Sequence, residues 1–355
     1  MDSLIKDWTG RIFDAVETGS KLCIRGSGSK RFYGGAEHGE VFDVSVNRGI
    51  VAYEPTELVV TVRAGTPLAE LQATLAEKGQ WLAFEPPHFG AGATVGGMLA
   101  AGLSGPRRQA VGAARDFVLG VKLIDGKGEL LSFGGQVMKN VAGYDVARLM
   151  AGSLGTLGVL LDVSLKVLPL PVAEKSLRFA MSESEALAKL NLWGGKPLPI
   201  SACAWNEGVL TLRLSGAAAA VSAAERGLGG EALADADAFW TSLREQTHAF
   251  FTAAPAAPLW RLSLPSVTPS LNLGPTLIEW GGALRWLRGG DAQTIRAAAE
   301  LAGGHATLFR ADPALKASAG VFQPLSTPLA RIHRNLKNAF DPHGVFNHGR
   351  MYPDF

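Results

Sequence analysis

The groups best placed to do chemistry in this chain are main-chain amides. Residues 86–106 read P-P-H-F-G-A-G-A-T-V-G-G-M-L-A-A-G-L-S-G-P, with six glycines and no Asp, Glu, Lys or Arg. Glycine lets a backbone N–H face a ligand that a Cβ would hold away, and inside a regular element each one costs ~0.5–1 kcal/mol. Two arrangements would offset that cost. In one, Ala93, Thr94, Val95, Gly96 and Gly97 lead into a helix over residues 95–103 and form an anion site for a buried pyrophosphate. In the other, the small residues serve only to pack a helix tightly on a strand. A membrane span is the weakest alternative, because glycine and proline interrupt the ~20-residue apolar run it needs.

Two further turns could bring backbone to a ligand. Residues 21–24 read as a short strand running into Arg25, Gly26, Ser27, Gly28, Ser29 and Lys30, a loop of hydroxyls and glycines between cations. It is not a Rossmann fingerprint, since Arg31 stands where the third glycine would be and no amphipathic helix follows. The third is G-S-L-G-T-L-G, in which Gly152, Gly155 and Gly158 precede a strand opening at Val159. Taken singly, either could be an ordinary turn.

Side chains offer less. The seven histidines form no HxH or HxxxH pair, and the two cysteines, Cys23 and Cys203, lie far apart with no CxxC. Neither a helical metal site nor a cysteine-held cluster is expected in this chain. His88, His343 and His348, and Lys139 with Tyr144, could approach a bound ring, but capping, surface or core roles serve them equally well. Arg115 and Asp116 open a strand and could be a plain surface pair. No side chain is singled out as a catalytic base.

The elements that must hold these turns follow from composition and pattern. At 355 residues, 47% apolar and 19% charged, the chain is expected to fold as two lobes. A net charge of +2 without a dense basic run argues against nucleic acid. An N-terminus with acids and no apolar h-region, together with reduced cysteines, points to a cytoplasmic protein without its own membrane segment. Strands are expected over 41–46, 49–53 and 58–64, then a helix over 66–79 with Thr66 as N-cap. A hairpin over 115–130 should turn at Asp125-Gly126. Beyond Pro169-Leu170-Pro171 a strand–helix pattern runs through 175–227 and recurs through 259–310. That pattern suggests two ferredoxin-like halves in one cap, linked by an Ala-rich helix over 235–251. A helix over 328–340, with Ile332, Leu336 and Phe340 on one face, should return to the first lobe.

The three turns, in this order over residues 15–170, resemble the FAD-binding domain of the vanillyl-alcohol oxidase, or PCMH-type, family. The resemblance implies an α+β fold: a two-subdomain FAD-binding domain (1–170), a ferredoxin-like cap (171–327) and a returning C-terminal segment (328–355). It implies FAD with its phosphates on Arg25–Lys30 and on the T-V-G-G of 94–97, and its adenine near Val159. It also places Arg115 and Asp116 by the ribityl and ring. Many members bind FAD covalently through a histidine of the first loop; Ser29 stands there, which implies a dissociable flavin.

The run E-W-G-G-A-L-R-W-L at 279–287 and the tail F-D-P-H-G-V-F-N-H-G-R-M at 340–351 resemble the FAD-binding subunits of bacterial glycolate oxidases. That resemblance implies support for oxidation of glycolate, a small 2-hydroxy acid, to glyoxylate. The partners would be a related flavin-containing catalytic subunit and an iron–sulfur subunit, and any membrane association would come through them. A self-sufficient flavin dehydrogenase or oxidase of a hydroxy acid, polyol or lactone is the alternative. A scaffold that has lost its cofactor is a third.

Overall fold

The computed structural model describes residues 2–135 and 145–354. Lys139 and Tyr144 lie outside the described residues. The first lobe centres on a five-stranded antiparallel sheet in the order Ile50–Glu54, Val59–Arg63, Val159–Lys166, Val118–Ile124, Leu130–Gly134. Apolar residues at alternate positions, such as Val60, Val62, Val163 and Leu165, are buried against the helices Leu68–Ala76 and Val95–Ala101. Beside it lies a parallel pair, Leu22–Arg25 with Glu40–Asp43.

The helix Asp2–Thr18, not anticipated from the sequence, covers that pair. It buries Trp8, Ile12 and Ala15, spaced four and three residues apart. Trp8 meets Phe42 at 5.5 Å between ring centroids. Burying a side chain the size of Ile12 stabilises by roughly 1.5–3 kcal/mol.

The cap is one continuous eight-stranded antiparallel sheet. Its first half runs strand–helix–strand–strand–helix–strand through Ala173–Ala180, Glu183–Gly194, Ile200–Asn206, Val209–Gly216, Ala218–Leu228 and Glu231–Ala232. In space its strands lie in the order fourth, first, third, second, the ferredoxin-like arrangement. The second half, Leu259–Ser263, Thr276–Glu279, Leu284–Arg288 and His305–Arg310, repeats that order in mirror sequence across the sheet. A loop replaces its first helix. The halves join where Ala204, Trp205 and Asn206 pair with Glu279, Ile278 and Leu277.

Four sequence expectations are corrected. The hairpin turn spans residues 125–129, because Asp125 Oδ1 accepts from both Lys127 N and Glu129 N at 2.9 Å and widens the loop. Thr66 does not cap the next helix; its hydroxyl accepts from Gly49 N at 2.9 Å, and Pro67 precedes the first turn. The expected 235–251 helix is two, Ala236–Arg244 and Ala249–Thr252. Gln246 adopts φ +55° between them, and Thr247 N donates back to Ser242 O at 2.8 Å. In the tail helix Thr327–Phe340, Ile332 is exposed; Lys337 and Phe340 face inward.

Beyond that helix the chain threads back into the first lobe. Leu22 N donates to Val345 O at 2.8 Å and Asn347 N donates to Leu22 O at 3.0 Å. Lys337 Nζ donates to Asp341 Oδ2 at 2.6 Å, wholly inside the protein, and Asp341 accepts from Val345 N and Phe346 N.

Candidate functional site

A cleft opens where the Leu22–Arg25 strand ends. The whole first loop, Arg25 through Lys30, lines it, with Thr94 and Gly97 opposite and Leu154 of the third turn at one end. The two loops touch so closely that a Cβ on Gly26 would lie 2.5 Å from Thr94 Oγ1, and one on Gly92 3.1 Å from Ser27 Cβ. Glycine is therefore a steric requirement at position 26.

The first loop keeps its amides available. Among the described residues, the N–H groups of Gly26, Ser27, Gly28 and Lys30 have no protein acceptor, whereas Arg31 N donates to Gly28 O and so closes the turn. Gly28 adopts φ +76°, a conformation glycine takes without strain. Four cations, Arg25, Lys30, Arg31 and Arg350, line the cleft against one carboxylate, Glu37, which pairs with Arg25 at 2.7 Å and Arg31 at 2.8 Å. The excess positive charge and the free amides suit a diphosphate. Burial pulls the Lys30 ammonium down to about 8, opposed by Glu245, and its Nζ donates to His88 O at 3.1 Å.

The glycine-rich stretch divides between both sequence readings. Thr94 caps the Val95–Ala101 helix, accepting from Gly97 N at 3.2 Å, and Thr94 and Gly97 face the cleft. Val95 N and Gly96 N instead donate to Thr66 O at 3.0 Å and Ala64 O at 2.7 Å. A Cβ on Gly96 would meet Ala64 Cβ at 2.9 Å, so that glycine serves close helix–strand packing. Ala93, Val95 and Gly96 lie behind the cleft wall. Earlier in the stretch, Glu245 of the cap accepts from His88 N at 3.0 Å and Phe89 N at 2.9 Å.

The remaining predicted residues stand apart from the cleft lining. Gly152 N donates to Leu99 O. A Cβ on Gly155 would press on the Asn347 amide, and one on Gly158 on Ile124 O, while Val159 is buried at the start of its strand. Arg115 and Asp116 are 66% and 41% exposed on a short turn; Asp116 accepts from Ala113 N at 2.8 Å. His88, whose ring nitrogen bonds Gln72 at 2.7 Å, and His343 and His348 do not line it either.

Sequence reasoning missed Asn347 and Arg350. Asn347 Oδ1 accepts from Ile24 N at 2.7 Å while its amide donates to Leu154 O at 2.6 Å, pinning the first strand to the third turn. Arg350 donates to the carbonyls of Arg31, Tyr33 and Gly35, holding the chain that follows the first loop. The F-N-H-G-R spacing of the tail was the available signal.

Residues 12–134 match the FAD binding domain family. Over 97% of its length the chain is 50% identical to the Escherichia coli glycolate oxidase subunit GlcE, covering 96% of that protein. The chain belongs to the GlcE family. It is an FAD-dependent oxidoreductase chain, and the free amides and net positive charge of the cleft fit that cofactor's diphosphate. A narrower match reaches the Bacillus subtilis glycolate oxidase subunit GlcD, 30% identical over 39% of this chain and 30% of that one. In fold, the chain is similar to an alkyldihydroxyacetonephosphate synthase, with a TM-score of 0.64 at 13% identity, covering 96% of this chain and 73% of that one. Among the described residues no group of three or more His, Cys, Asp and Glu could hold a metal ion, and no helix is long and apolar enough to cross a membrane.

Proposed function

We propose that this chain is the FAD-binding subunit of a glycolate oxidase complex, supporting oxidation of glycolate to glyoxylate and passing electrons from its flavin to an iron–sulfur partner. The observation that carries the reading is identity to GlcE at 50% along nearly the whole chain, coupled to a cleft built for a dinucleotide. FAD supplies the hydride-accepting chemistry, and the protein supplies position and access. In this reading Gly26, Ser27 and Gly28 donate main-chain hydrogen bonds to the diphosphate, Thr94 and Gly97 border it, and Lys30 and Arg350 balance its charge. Leu154 and Ala101 wall the adenosine end. Ser29 can hydrogen-bond but is a poor nucleophile toward the flavin, so the cofactor is dissociable.

The division into residues 1–170, 171–327 and 328–355 belongs to the same proposal; it follows the two sheets and the returning tail. With only two cysteines, both buried and unbridged, the chain needs another polypeptide for any iron–sulfur relay.

The test is purification of the tagged chain from its native source, with flavin and iron counted per complex. Co-purifying iron–sulfur protein, and FAD released from this chain by acid precipitation, are expected. A chain that isolates alone and whose own flavin is bleached by added glycolate without a partner would favour the self-sufficient alternative.

A further inference from the structure

The first half of the cap holds a cavity of about 260 Å³, room for roughly eight or nine waters at ~30 Å³ each. Its floor is two cross-strand rows of the sheet. Arg178, Thr211 and Ala204 stand side by side in one row, and Val209, Asn206 and Leu277 in the other. Phe239 and Leu243 of the Ala236–Arg244 helix border it, with His248 just beyond them. It shares no lining residue with the dinucleotide cleft.

The polar groups at this cavity lack partners. Thr211 is 2% exposed, yet among the described residues its hydroxyl bonds to nothing. Arg178 makes no hydrogen bond and no ion pair there either, although Glu231 pairs with it in register. Glu207 is likewise unpaired. It sits in the tight turn between Asn206 and Val209 at φ +47°, a conformation that asparagine or glycine takes with less strain. His248 Nδ1 accepts from Phe250 N at 3.2 Å, so the neutral ring carries its proton on Nε2 as a donor. Burial lowers the ring's hold on a second proton, against the pull of Glu207.

The arrangement has a direction. Arg178 lies in the outer row, and Glu207 lies beyond the far end of the other row, with Ala204, Val209, Leu277 and Leu243 giving apolar surface between them. A simple anion would meet only Arg178, and an apolar molecule would leave both charges and the buried hydroxyl unmet, which costs free energy. A molecule with a carboxylate, an ammonium and a short hydrocarbon body meets all of them.

We propose that this cavity binds a small α-amino acid with an aliphatic side chain, its carboxylate on Arg178, its ammonium on Glu207 and its side chain on the apolar floor. The Thr211 hydroxyl donates to the carboxylate, and both ionic contacts are charge-assisted, roughly twice as strong as neutral hydrogen bonds. The inference stands on cap residues alone and goes beyond the flavin-subunit reading: it gives the cap a ligand site of its own, apart from the flavin.

The test is calorimetric titration of the FAD-loaded full chain with L-alanine, L-valine and L-leucine. Isobutylamine, which is valine without its carboxylate, and isovalerate, which is valine without its ammonium, are the comparison ligands. At least one amino acid should saturate below about 10 mM, and each comparison ligand should bind at least about 10-fold more weakly. Arg178→Gln and Glu207→Gln, both at exposed positions, should each weaken the amino acid at least about 10-fold while FAD content stays unchanged. If either variant does not fold, the ligand series on the unaltered chain still decides. No saturation by any of the three amino acids, comparison ligands binding as tightly as valine, or unchanged affinity in both folded variants would overturn the proposal.

Discussion

Glu85, the residue just before the glycine-rich stretch, and Arg213 of the cap sheet meet as an ion pair, Oε1 to Nη2 at 2.8 Å, with only 8% and 7% of their side chains exposed. The same carboxylate accepts from Arg107 N at 2.8 Å, and Arg107 in turn pairs with Glu174 of the cap. Glu85 holds φ +51° to do so. One carboxylate thus clamps the two lobes together.

Removing that carboxylate should be severe. Glu85→Gln leaves two buried guanidiniums with only the more exposed Glu174, and loss of one partner from such a cluster costs about 3–5 kcal/mol. Urea denaturation followed by tryptophan fluorescence measures it. A change below about 1 kcal/mol would mean that water reaches the cluster freely.

Gly26→Ala places a methyl group 2.5 Å from Thr94 Oγ1 and must push the two loops apart. FAD affinity, read by flavin fluorescence titration, should fall at least about 10-fold, a cost of about 1.4 kcal/mol or more. Gly10→Ala, mid-helix with nothing within 4 Å of the new methyl, should leave FAD affinity unchanged and stabilise by roughly 0.5–1 kcal/mol. Equal FAD affinity in both variants would remove the first loop from the binding site.

Asn347→Ala breaks one buried and one part-buried hydrogen bond, leaving Leu154 O and Ile24 N without partners. Each orphaned group costs roughly 1–3 kcal/mol. Both lie on segments that line the cleft, so the variant should lose FAD affinity as well as thermal stability. Lowered stability with wild-type FAD affinity would confine the tail to a structural role.

Lys30 gives FAD binding a pH dependence. Without a ligand its ammonium deprotonates near 8, held low by burial. A diphosphate in the cleft favours the charged form, so affinity is full below about pH 8 and falls as pH rises through it, by up to about one decade per unit. In Lys30→Gln the FAD dissociation constant should be flat between pH 7 and 9. An unaltered slope in that variant would assign the titration elsewhere.

Glu279 should shape stability in the acid range. Its carboxyl is raised to about 7 in the fold, above its ordinary value of 4.5, so the folded state keeps a proton that the unfolded state has released. Its contribution therefore weakens as pH climbs from about 4.5 to 7 and is constant above. Over that window the loss is on the order of 3 kcal/mol. Thermal melts of Glu279→Gln against the native chain from pH 5 to 8 should show the variant gaining relative stability with pH. A constant difference would show Glu279 to be ionised throughout.

Several local features could be read from residue order. The strand–loop at Arg25–Lys30, the helix opening at Thr94–Gly97 and the two ferredoxin-like halves all rest on short-range signals: glycine and hydroxyl clusters, apolar alternation and cap residues. The N-terminal helix escaped notice although Trp8, Ile12 and Ala15 carry its spacing, because its burial depends on a partner strand far along the chain, at Phe42. The histidines drew attention as reactive side chains, yet the cleft is lined by Asn347 and Arg350, whose position depends on the return of the tail.

By itself the sequence determined which segments could offer bare amides and which would alternate as strands, because conformational freedom at glycine and the two-residue period of a strand are local properties. Only the tertiary structure decided which amides stay free. Gly96 and Gly26 look equivalent in the sequence, yet the carbonyl of Ala64, just past a strand, takes the N–H of Gly96, while that of Gly26 has no protein acceptor. It alone also brought Arg178, Thr211 and His248 to one cavity, since strand pairing, not chain proximity, sets distances between residues from separate elements.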